Sequence, residues 1–280
     1  MSNQSKTAHL VNDAYFTPED SVKWCHSFLY VHDWVGYNKT ILEPCVGSGN
    51  LVKDLPGIIF GADIKDYGWK GTIIQDYLTA DKQRVDLVFT NPPFGRVSSL
   101  AVKFFNKATK DSDRIAFIAP ASFRKISIVD RLDPFYHCIV NEMLPNNEFI
   151  LPNNEKRKVN TVFQMWERRN CKRPNFTEVI RSHSPRFMKV SKDFPNAYAF
   201  RTQGASAGKI LNGIDYNPAS TAFLVGGKDE ISKYDWTKLA SFTSGIPAIG
   251  LKDVALGLLF ECSNDYLTKG CLAYANTSSN

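Results

Sequence analysis

A short polar turn follows an apolar run near the middle of the chain. Residues 85–90 read Val-Asp-Leu-Val-Phe-Thr, which predicts a buried strand, and the next four residues are Asn91, Pro92, Pro93 and Phe94. Prolines have no backbone N–H, so two in succession stop a strand and fix the backbone that follows it. An amide, a carbonyl and an aromatic ring are therefore held together beyond the end of the strand.

Two glycines and two acids also lie where strands are expected to end. Gly47 and Gly49 follow one apolar segment, Asp63 ends the next, and Asp76 ends a third. Glycines let the backbone approach a ligand at a helix N-terminus, and a carboxylate after the second strand commonly holds ribose hydroxyls. Taken singly, a Gly-x-Gly is often only a turn and such an acid is often a helix cap. Their joint spacing favours a nucleoside site, and Val52 in place of a third glycine disfavours a dinucleotide.

These residues need a framework of alternating strands and helices. The expected strands are 40–44, 57–63, 72–76, 85–90, 114–120, 137–144 and 161–166, with a long loop over 145–160. The expected helices are 17–32, a short one ending near 55, 98–110 and 121–131, the first capped by Thr17 with Pro18 at its first position. Alternation of this kind predicts an α/β protein with a doubly wound, mainly parallel sheet. Ligands of such sheets bind beyond the carboxyl ends of the strands, where all the polar residues above would lie.

The rest of the chain divides into a lead and an appendage. Residues 1–14 are expected to be a flexible N-terminal lead, 15–169 the α/β domain, and 170–280 a small C-terminal substrate-recognition or target-recognition region. The last is expected to hold short strands at 187–190, 197–201 and 219–225 and an apolar helix at 251–260.

Charge points to a polyanionic partner. The chain carries a net charge of +6, but residues 155–209 hold 13 lysines and arginines against four acids, about +9. Such a block favours nucleic acid, although a merely solvated basic surface gives the same count.

Composition excludes several other classes. No apolar run is long enough for a membrane helix, and the polar first residues do not form a signal peptide, so we expect a cytoplasmic protein without membrane association. The six cysteines are scattered, without metal-ligand spacing, so we expect reduced thiols and no metal. The sequence makes no prediction of the oligomeric state.

Together the motifs resemble those of S-adenosylmethionine-dependent amino-group methyltransferases, specifically DNA N6-adenine methyltransferases of the gamma arrangement. In that arrangement the cofactor motifs precede the Asn-Pro-Pro-aromatic motif and the target-recognition region is C-terminal. The resemblance is carried by residues 15–18 (Tyr-Phe-Thr-Pro), 42–51 (Leu-Glu-Pro-Cys-Val-Gly-Ser-Gly-Asn-Leu) and 91–94, and covers roughly residues 15–168. It implies a Rossmann-like, mixed sheet of seven strands. It also implies a bacterial protein, or a phage protein in the host cytoplasm, within a restriction–modification system or as an orphan enzyme.

The resemblance assigns the catalytic role to Asn91, Pro92, Pro93 and Phe94. Asn91 and the carbonyl of Pro92 would accept the two hydrogens of the substrate amino group, and Phe94 would stack on the substrate base. Tyrosine is also common at the last position, but stacking needs only a ring face.

The resemblance also assigns the binding of S-adenosylmethionine. Thr17 would meet the methionine carboxylate, and Asp63 would hold the ribose hydroxyls. Asp76 would accept from the adenine amino group, and Tyr77 would pack on that adenine. The residues that would surround the methionine and sugar are Glu43, Cys45, Gly47 and Gly49.

An enzyme of this kind acts on a base that has been flipped out of duplex DNA. Phe149, in the long loop, is a candidate for a second stacking ring, with core packing as its ordinary alternative. The basic run of Lys156, Arg157 and Lys158 is a candidate for further contact with the substrate.

Three other functions share these motifs. RNA base methyltransferases acting on adenine N6 or guanine N2 carry a similar Asn-Pro-Pro motif, as do glutamine methyltransferases. A catalytically inactive nucleic-acid-binding module could keep the same fold, since fold alone does not prove activity.

Overall fold

The computed structural model describes residues 15–183, 186–213, 216–241, 246–261, 267–269 and 271. The lead expected over residues 1–14 lies outside them. The chain divides into two compact units, of which unit 1 comprises Met1–Phe123 and Arg131–Asn170, and unit 2 comprises Arg124–Asp130 and Cys171–Asn280. The inclusion of Arg124–Asp130 in unit 2 was not indicated by the sequence.

Unit 1 is built on a seven-stranded sheet in the order β3-β2-β1-β4-β5-β9-β6. Its strands are β1 Thr40–Glu43, β2 Ile58–Asp63, β3 Ile73–Ile74, β4 Leu87–Thr90, β5 Arg114–Pro120, β6 Tyr136–Met143 and β9 Thr161–Arg168. Strands β1 to β5 are parallel to one another, and β9 is antiparallel to both β5 and β6. The predicted α/β class and mixed, doubly wound sheet are confirmed. Strand order reverses between β1 and β4, which is where such sheets bind ligands.

Buried apolar strands and two helices form the core of unit 1. All four residues of β4 are buried, as are residues 115–120 of β5. Helix α1, Glu19–Val31, buries Val22, Cys25 and Leu29, whose spacing predicted this face. Helix α2, Ser99–Asp111, follows β4 and a 3₁₀ turn at Arg96–Ser98.

Two predictions near the start of unit 1 are wrong. Helix α1 begins at Glu19 with Pro18 as its N-cap, and Thr17 lies outside the helix with its hydroxyl bonded to Asn91. Residues 50–55 form successive hydrogen-bonded turns and no helix. Gly49, with a positive φ, and Pro56 enclose too few residues for a helix to propagate.

The long loop of unit 1 contains a small hairpin of β7, Glu148–Ile150, and β8, Lys156–Lys158. Two backbone hydrogen bonds join it to the segment before α1: Phe16 N donates to Ile150 O at 2.8 Å, and Ile150 N donates to Phe16 O at 3.1 Å. The hairpin thereby holds residues 15–17 in place.

Unit 2 contains a four-stranded antiparallel sheet in the order β10-β13-β11-β12. Its strands are β10 Met188–Val190, β11 Tyr198–Arg201, β12 Ile210–Leu211 and β13 Thr221–Val225. Its described helices are α3 Ile126–Val129, α4 Phe176–Ser182, α5 Lys228–Ser232, α6 Thr237–Ala240 and α7 Leu251–Leu259. The three strands and the apolar helix expected here are present. In the described parts of both units, no helix has the length and apolar character needed to cross a membrane.

Candidate active site

The side chain of Asn91 is fixed by two hydrogen bonds at the end of β4. Its Nδ2 donates to the carbonyl oxygen of Tyr15 at 2.9 Å and to Oγ1 of Thr17 at 3.2 Å. A backbone carbonyl can only accept, so the amide atom facing Tyr15 must be the nitrogen. Both amide hydrogens are thereby used. Oδ1 accepts from no residue in the described part of the chain, and it is left as an acceptor for an N–H or O–H group.

Two adjoining pockets meet at Asn91 and Cys45. The larger is lined by the predicted residues Cys45, Gly47, Asp63, Asp76, Tyr77, Asn91 and Pro93, together with Tyr15, Phe16, Pro44, Ile64, Tyr67, Leu78, Leu100 and Phe104. The smaller is lined by Thr17, Glu43, Val46, Asn50 and Leu51, with Tyr15, Phe16, Cys45 and Asn91 shared. The structure thus gathers most of the predicted site residues at the carboxyl ends of β1, β2 and β4.

Several residues that line the larger pocket were not predicted, because an apolar side chain near a motif does not by itself indicate a ligand site. Ile64 and Tyr67 follow Asp63 closely, and an apolar residue just beyond a strand-end acid is a reasonable candidate for a pocket wall. Leu100 and Phe104 are four residues apart on α2, which places them on one face of the helix that follows Phe94.

Glu43 is the acid that lines the smaller pocket, and only 1% of its surface is exposed. Its Oε1 accepts from the N–H of Cys45 at 2.9 Å, whereas Oε2 has no hydrogen-bond partner. Burial, aided by the carboxylate of Asp63, raises the pKa of Glu43 to about 8. A buried carboxyl with one unpartnered oxygen is suited to a cationic group of a ligand.

Asp63 links the glycine turn to the larger pocket. Its Oδ2 accepts from Gly47 N at 2.9 Å and its Oδ1 from Lys65 N at 3.3 Å. Burial raises its pKa, against the effect of these amides. Each carboxylate oxygen keeps lone-pair capacity beyond one bond, so Asp63 can also accept from ligand hydroxyls.

Tyr77 is held as a fixed wall of the larger pocket. Its hydroxyl donates to Oδ2 of the fully buried Asp111 at 2.7 Å. Lys107 Nζ lies 2.7 Å from the same oxygen and 4.6 Å from the Tyr77 ring centroid. The neighbouring Asp76 is exposed, and its Oδ1 accepts from Leu78 N at 2.9 Å.

The two glycines of the turn after β1 differ in what requires them. Gly47 has φ +52° and lines the larger pocket, and a Cβ there would lie 2.9 Å from Cε1 of Phe16. Gly49 has φ +79°, and a Cβ there would lie 1.7 Å from Cε3 of Trp69. Gly49 therefore lets the chain's own Trp69 indole approach the backbone. The sequence had predicted that a ligand would approach there.

Phe149 does not offer a ring face to a base. It is fully buried in the core of unit 1, edge-on to Tyr15 with centroids 6.1 Å apart. The ring parallel to Phe94 is Tyr15, at an interplanar angle of 8° and a centroid distance of 6.4 Å.

The basic run on β8 is divided between the two faces of the hairpin. Arg157 pairs with the buried Phe149, and its Nη1 donates to the hydroxyl of Tyr15 at 2.9 Å. Lys156 and Lys158 alternate with it and lie on the outer, exposed face. Only Arg157 is brought to the pocket residues.

Several charges of the basic segment over 155–209 are paired with acids or buried. Arg169 forms an ion pair with Glu167 at 2.8 Å, and Arg168 lies 4.0 Å from Asp113. Arg173 is buried and donates to the carbonyl of Val129. Its charges are also shared between unit 1 and unit 2.

Two cysteines of unit 1, Cys25 in the core and Cys45 at the site, are held as thiols by burial. Burial raises the pKa of both the Cys25 and the Cys45 thiol, which favours the unreactive thiol form. No group of three or more histidine, cysteine, aspartate or glutamate residues suited to a metal occurs among the described residues.

Similarity to known proteins over a whole domain is found in structure and not in sequence. No protein-family model matches the sequence, and no curated protein is significantly similar to it. A candidate RNA methyltransferase from Pyrococcus horikoshii is similar over 56% of this chain and 88% of its own, with 16% identity and a TM-score of 0.47. A modification subunit of a candidate type I restriction enzyme from Vibrio vulnificus YJ016 is similar over 55% of this chain, with 16% identity and a TM-score of 0.42, and the match spans only 44% of that subunit.

The magnesium protoporphyrin IX methyltransferase of Synechocystis PCC 6803, solved with bound S-adenosylmethionine, is similar over 54% of this chain and 79% of its own. Its identity is 13% and its TM-score 0.41. Likeness at these identities and TM-scores carries no argument about the activity of this chain.

Proposed function

We propose that unit 1 transfers a methyl group from S-adenosylmethionine to the exocyclic N6 amino group of adenine in DNA. The observation that carries this proposal is the orientation of Asn91. Its amide nitrogen is committed to Tyr15 and Thr17, and its oxygen is left to accept a hydrogen from a substrate N–H. The motif resemblance over residues 15–168 supports the same reaction.

The residues present fit the cofactor. Glu43, with its unpartnered Oε2, would hold the ammonium group of the methionine end in the smaller pocket. Asp63 would accept from the ribose hydroxyls, while Asp76 and Tyr77 would receive the adenine. The bound cofactor supplies an electrophilic methyl group on a sulfonium.

The chain's own part in the reaction is to position and polarise the substrate nitrogen. The lone pair of an exocyclic amino nitrogen is delocalised into the ring, which makes it a poor nucleophile. Asn91 Oδ1 and the carbonyl of Pro92 would accept its two hydrogens and favour a pyramidal, electron-rich nitrogen. That nitrogen forms the new N–CH₃ bond as the S–CH₃ bond breaks, and it then releases a proton to solvent. Positioning and electrostatics account for most of such catalysis, so a histidine or cysteine base is not needed.

Access to the amino group requires a flipped base. Unstacking and unpairing cost a few kcal/mol, and stacking on an aromatic ring returns about 1–3 kcal/mol per base. Phe94 is proposed to supply such a ring. The exposed Lys156 and Lys158 are proposed to contact phosphates, and unit 2 to contribute target recognition.

The proposal is tested by supplying labelled S-adenosylmethionine with separate pools of duplex DNA, single-stranded DNA and RNA, followed by digestion to nucleosides. The expected result is label in N6-methyldeoxyadenosine from duplex DNA. Label from RNA alone would contradict the choice of polymer. Cofactor binding without transfer to any pool would indicate an inactive nucleic-acid-binding module.

A further inference from the structure

We propose that Tyr15 is the second wall of the substrate-base slot, opposite Phe94, and that Arg157 holds its ring in position. This inference rests on the proposed function, because it concerns the base whose amino group meets Asn91. It assigns a substrate-contacting role to a residue outside the Asn-Pro-Pro-Phe turn.

The rings of Tyr15 and Phe94 are parallel to within 8°, with centroids 6.4 Å apart. Aromatic carbons in contact lie about 3.5–4.0 Å apart, so a base with a ring on each side needs the two ring planes roughly 7 Å apart. The two rings already have the parallel orientation that such a base requires, and they must lie face to face at that spacing to admit it. Both rings are partly exposed, unlike Phe149 behind them.

The ring of Tyr15 and the acceptor of the substrate amino group, Asn91 Oδ1, are positioned together. The backbone carbonyl of Tyr15 is the group that orients the Asn91 amide, at 2.9 Å. The next residue, Phe16, is held by two backbone hydrogen bonds to Ile150. The ring of Tyr15 and the free oxygen of Asn91 are thus set by the same short segment. A base between the rings would present its edge toward that oxygen.

Arg157 acts on the ring through the tyrosine hydroxyl. Its Nη1 donates to that hydroxyl at 2.9 Å, and its guanidinium carbon lies 5.9 Å from the ring centroid. Phe149 packs edge-on against the same ring at 88°. The ring is therefore held at its hydroxyl by Arg157 and by packing against Phe149. Arg157 is a positioning residue in this arrangement.

The first measurement is transfer to duplex DNA by the wild type, Tyr15→Leu, Tyr15→Phe and the surface control Tyr37→Leu. Loss of one base–ring stack corresponds to a decrease in kcat/KM of about 5- to 150-fold for Tyr15→Leu. Tyr15→Phe keeps the ring but loses the hydrogen bond from Arg157, so it should lower kcat/KM by the same several-fold as Arg157→Met. Tyr37 is 88% exposed, and its substitution should have no effect. Cofactor affinity and thermal unfolding of Tyr15→Leu establish that it is folded.

The second measurement reports stacking without catalysis. Single-stranded random oligonucleotides with 2-aminopurine in place of adenine are titrated in the presence of S-adenosylhomocysteine. Stacking between two rings should quench their fluorescence in the wild type and in Tyr15→Phe, and Tyr15→Leu should lose most of the quenching.

The third measurement tests Arg157. Arg157→Met should lower transfer several-fold in the wild-type background and have no further effect in Tyr15→Phe, since the contact it removes is already absent there. Equal effects in both backgrounds would overturn the positioning role of Arg157.

The outcomes separate this inference from the proposed function. If the wild type methylates DNA but Tyr15→Leu behaves like Tyr37→Leu in both transfer and quenching, the slot is overturned. If the wild type transfers no methyl group to DNA but shows quenching that depends on Tyr15, the slot stands and the proposed reaction falls. Absence of both signals in the wild type overturns both.

Discussion

The turn at Asn91 and the turn at Gly47–Gly49 both follow parallel strands of unit 1 and both were predicted to face a ligand. They satisfy that prediction to different degrees. Asn91 donates both amide hydrogens to its own chain and keeps an oxygen for the pocket. In the other turn, Gly47 lines the pocket but Gly49 lies beneath Trp69.

The difference teaches what each residue type can reveal from sequence. An asparagine between a buried strand and two prolines has few purely structural roles, so its function can be predicted from the neighbouring residues alone. A glycine permits close approach by anything, and the chain's own aromatic residues compete with ligands for that space. The indole that requires Gly49 comes from a residue 20 positions away.

The largest expected effect comes from changing Asn91. Asn91→Ala removes the acceptor, and Asn91→Asp keeps an acceptor but places a carboxylate against the carbonyl of Tyr15. We expect both to lower kcat by about 10²–10³-fold, the scale of losing one preorganised polar group, while S-adenosylmethionine still binds. Single-turnover transfer and calorimetric titration of the cofactor check this. Loss of cofactor binding in Asn91→Ala would mean that this side chain serves the cofactor.

A substitution in the Gly47–Gly49 turn should lower the stability of the protein. Gly49→Ala forces an alanine into φ +79° and drives a methyl group into Trp69. We expect a decrease of about 2–5 kcal/mol in the free energy of unfolding, combining left-handed strain and overpacking. Urea denaturation measures it. Gly68→Ala, which has positive φ but open space, is the control and should show the strain alone. Equal losses at both positions would contradict the contact with Trp69.

The pH dependence of cofactor binding tests the role of Glu43. Its pKa is raised to about 8, so below that pH the free protein holds a proton that an ammonium ligand must displace. The Kd for S-adenosylmethionine should therefore rise by up to about tenfold for each unit that the pH falls between 7.5 and 6. Glu43→Gln should bind weakly at every pH in this range, with no such slope. The same slope in Glu43→Gln would assign the proton to another group.

The smallest expected effect is on the outer face of the β7–β8 hairpin. If Lys156 and Lys158 contact phosphates, each change to glutamine should reduce the slope of log Kd against log salt by about 0.9. Filter binding of duplex DNA over a range of salt concentrations measures this. Lys110→Gln, at the far end of α2, is the control. A slope unchanged from the control would remove these lysines from the interface.

Much of unit 1 could be predicted because its signals are local. Apolar strands, the buried face of α1 and the acids at strand ends all follow from short-range patterns, and they place the pockets at the correct edge of the sheet. Thr17 was misread as a cap because its hydroxyl is used by Asn91, 74 residues later. Phe149, a candidate for stacking on a base, is buried in the core by the packing of a hairpin that sequence patterns did not indicate.

The central claim, that Asn91 presents an adenine amino group for methylation, is tested most directly with DNA whose adenines are already modified. A long duplex is amplified with N6-methyl-dATP in place of dATP, and a matched duplex with N4-methyl-dCTP in place of dCTP. Both are incubated with the full chain and labelled S-adenosylmethionine. We expect label in the second duplex at the level of unmodified DNA and only background in the first. Undiminished transfer to the duplex without free adenine amino groups would contradict the account.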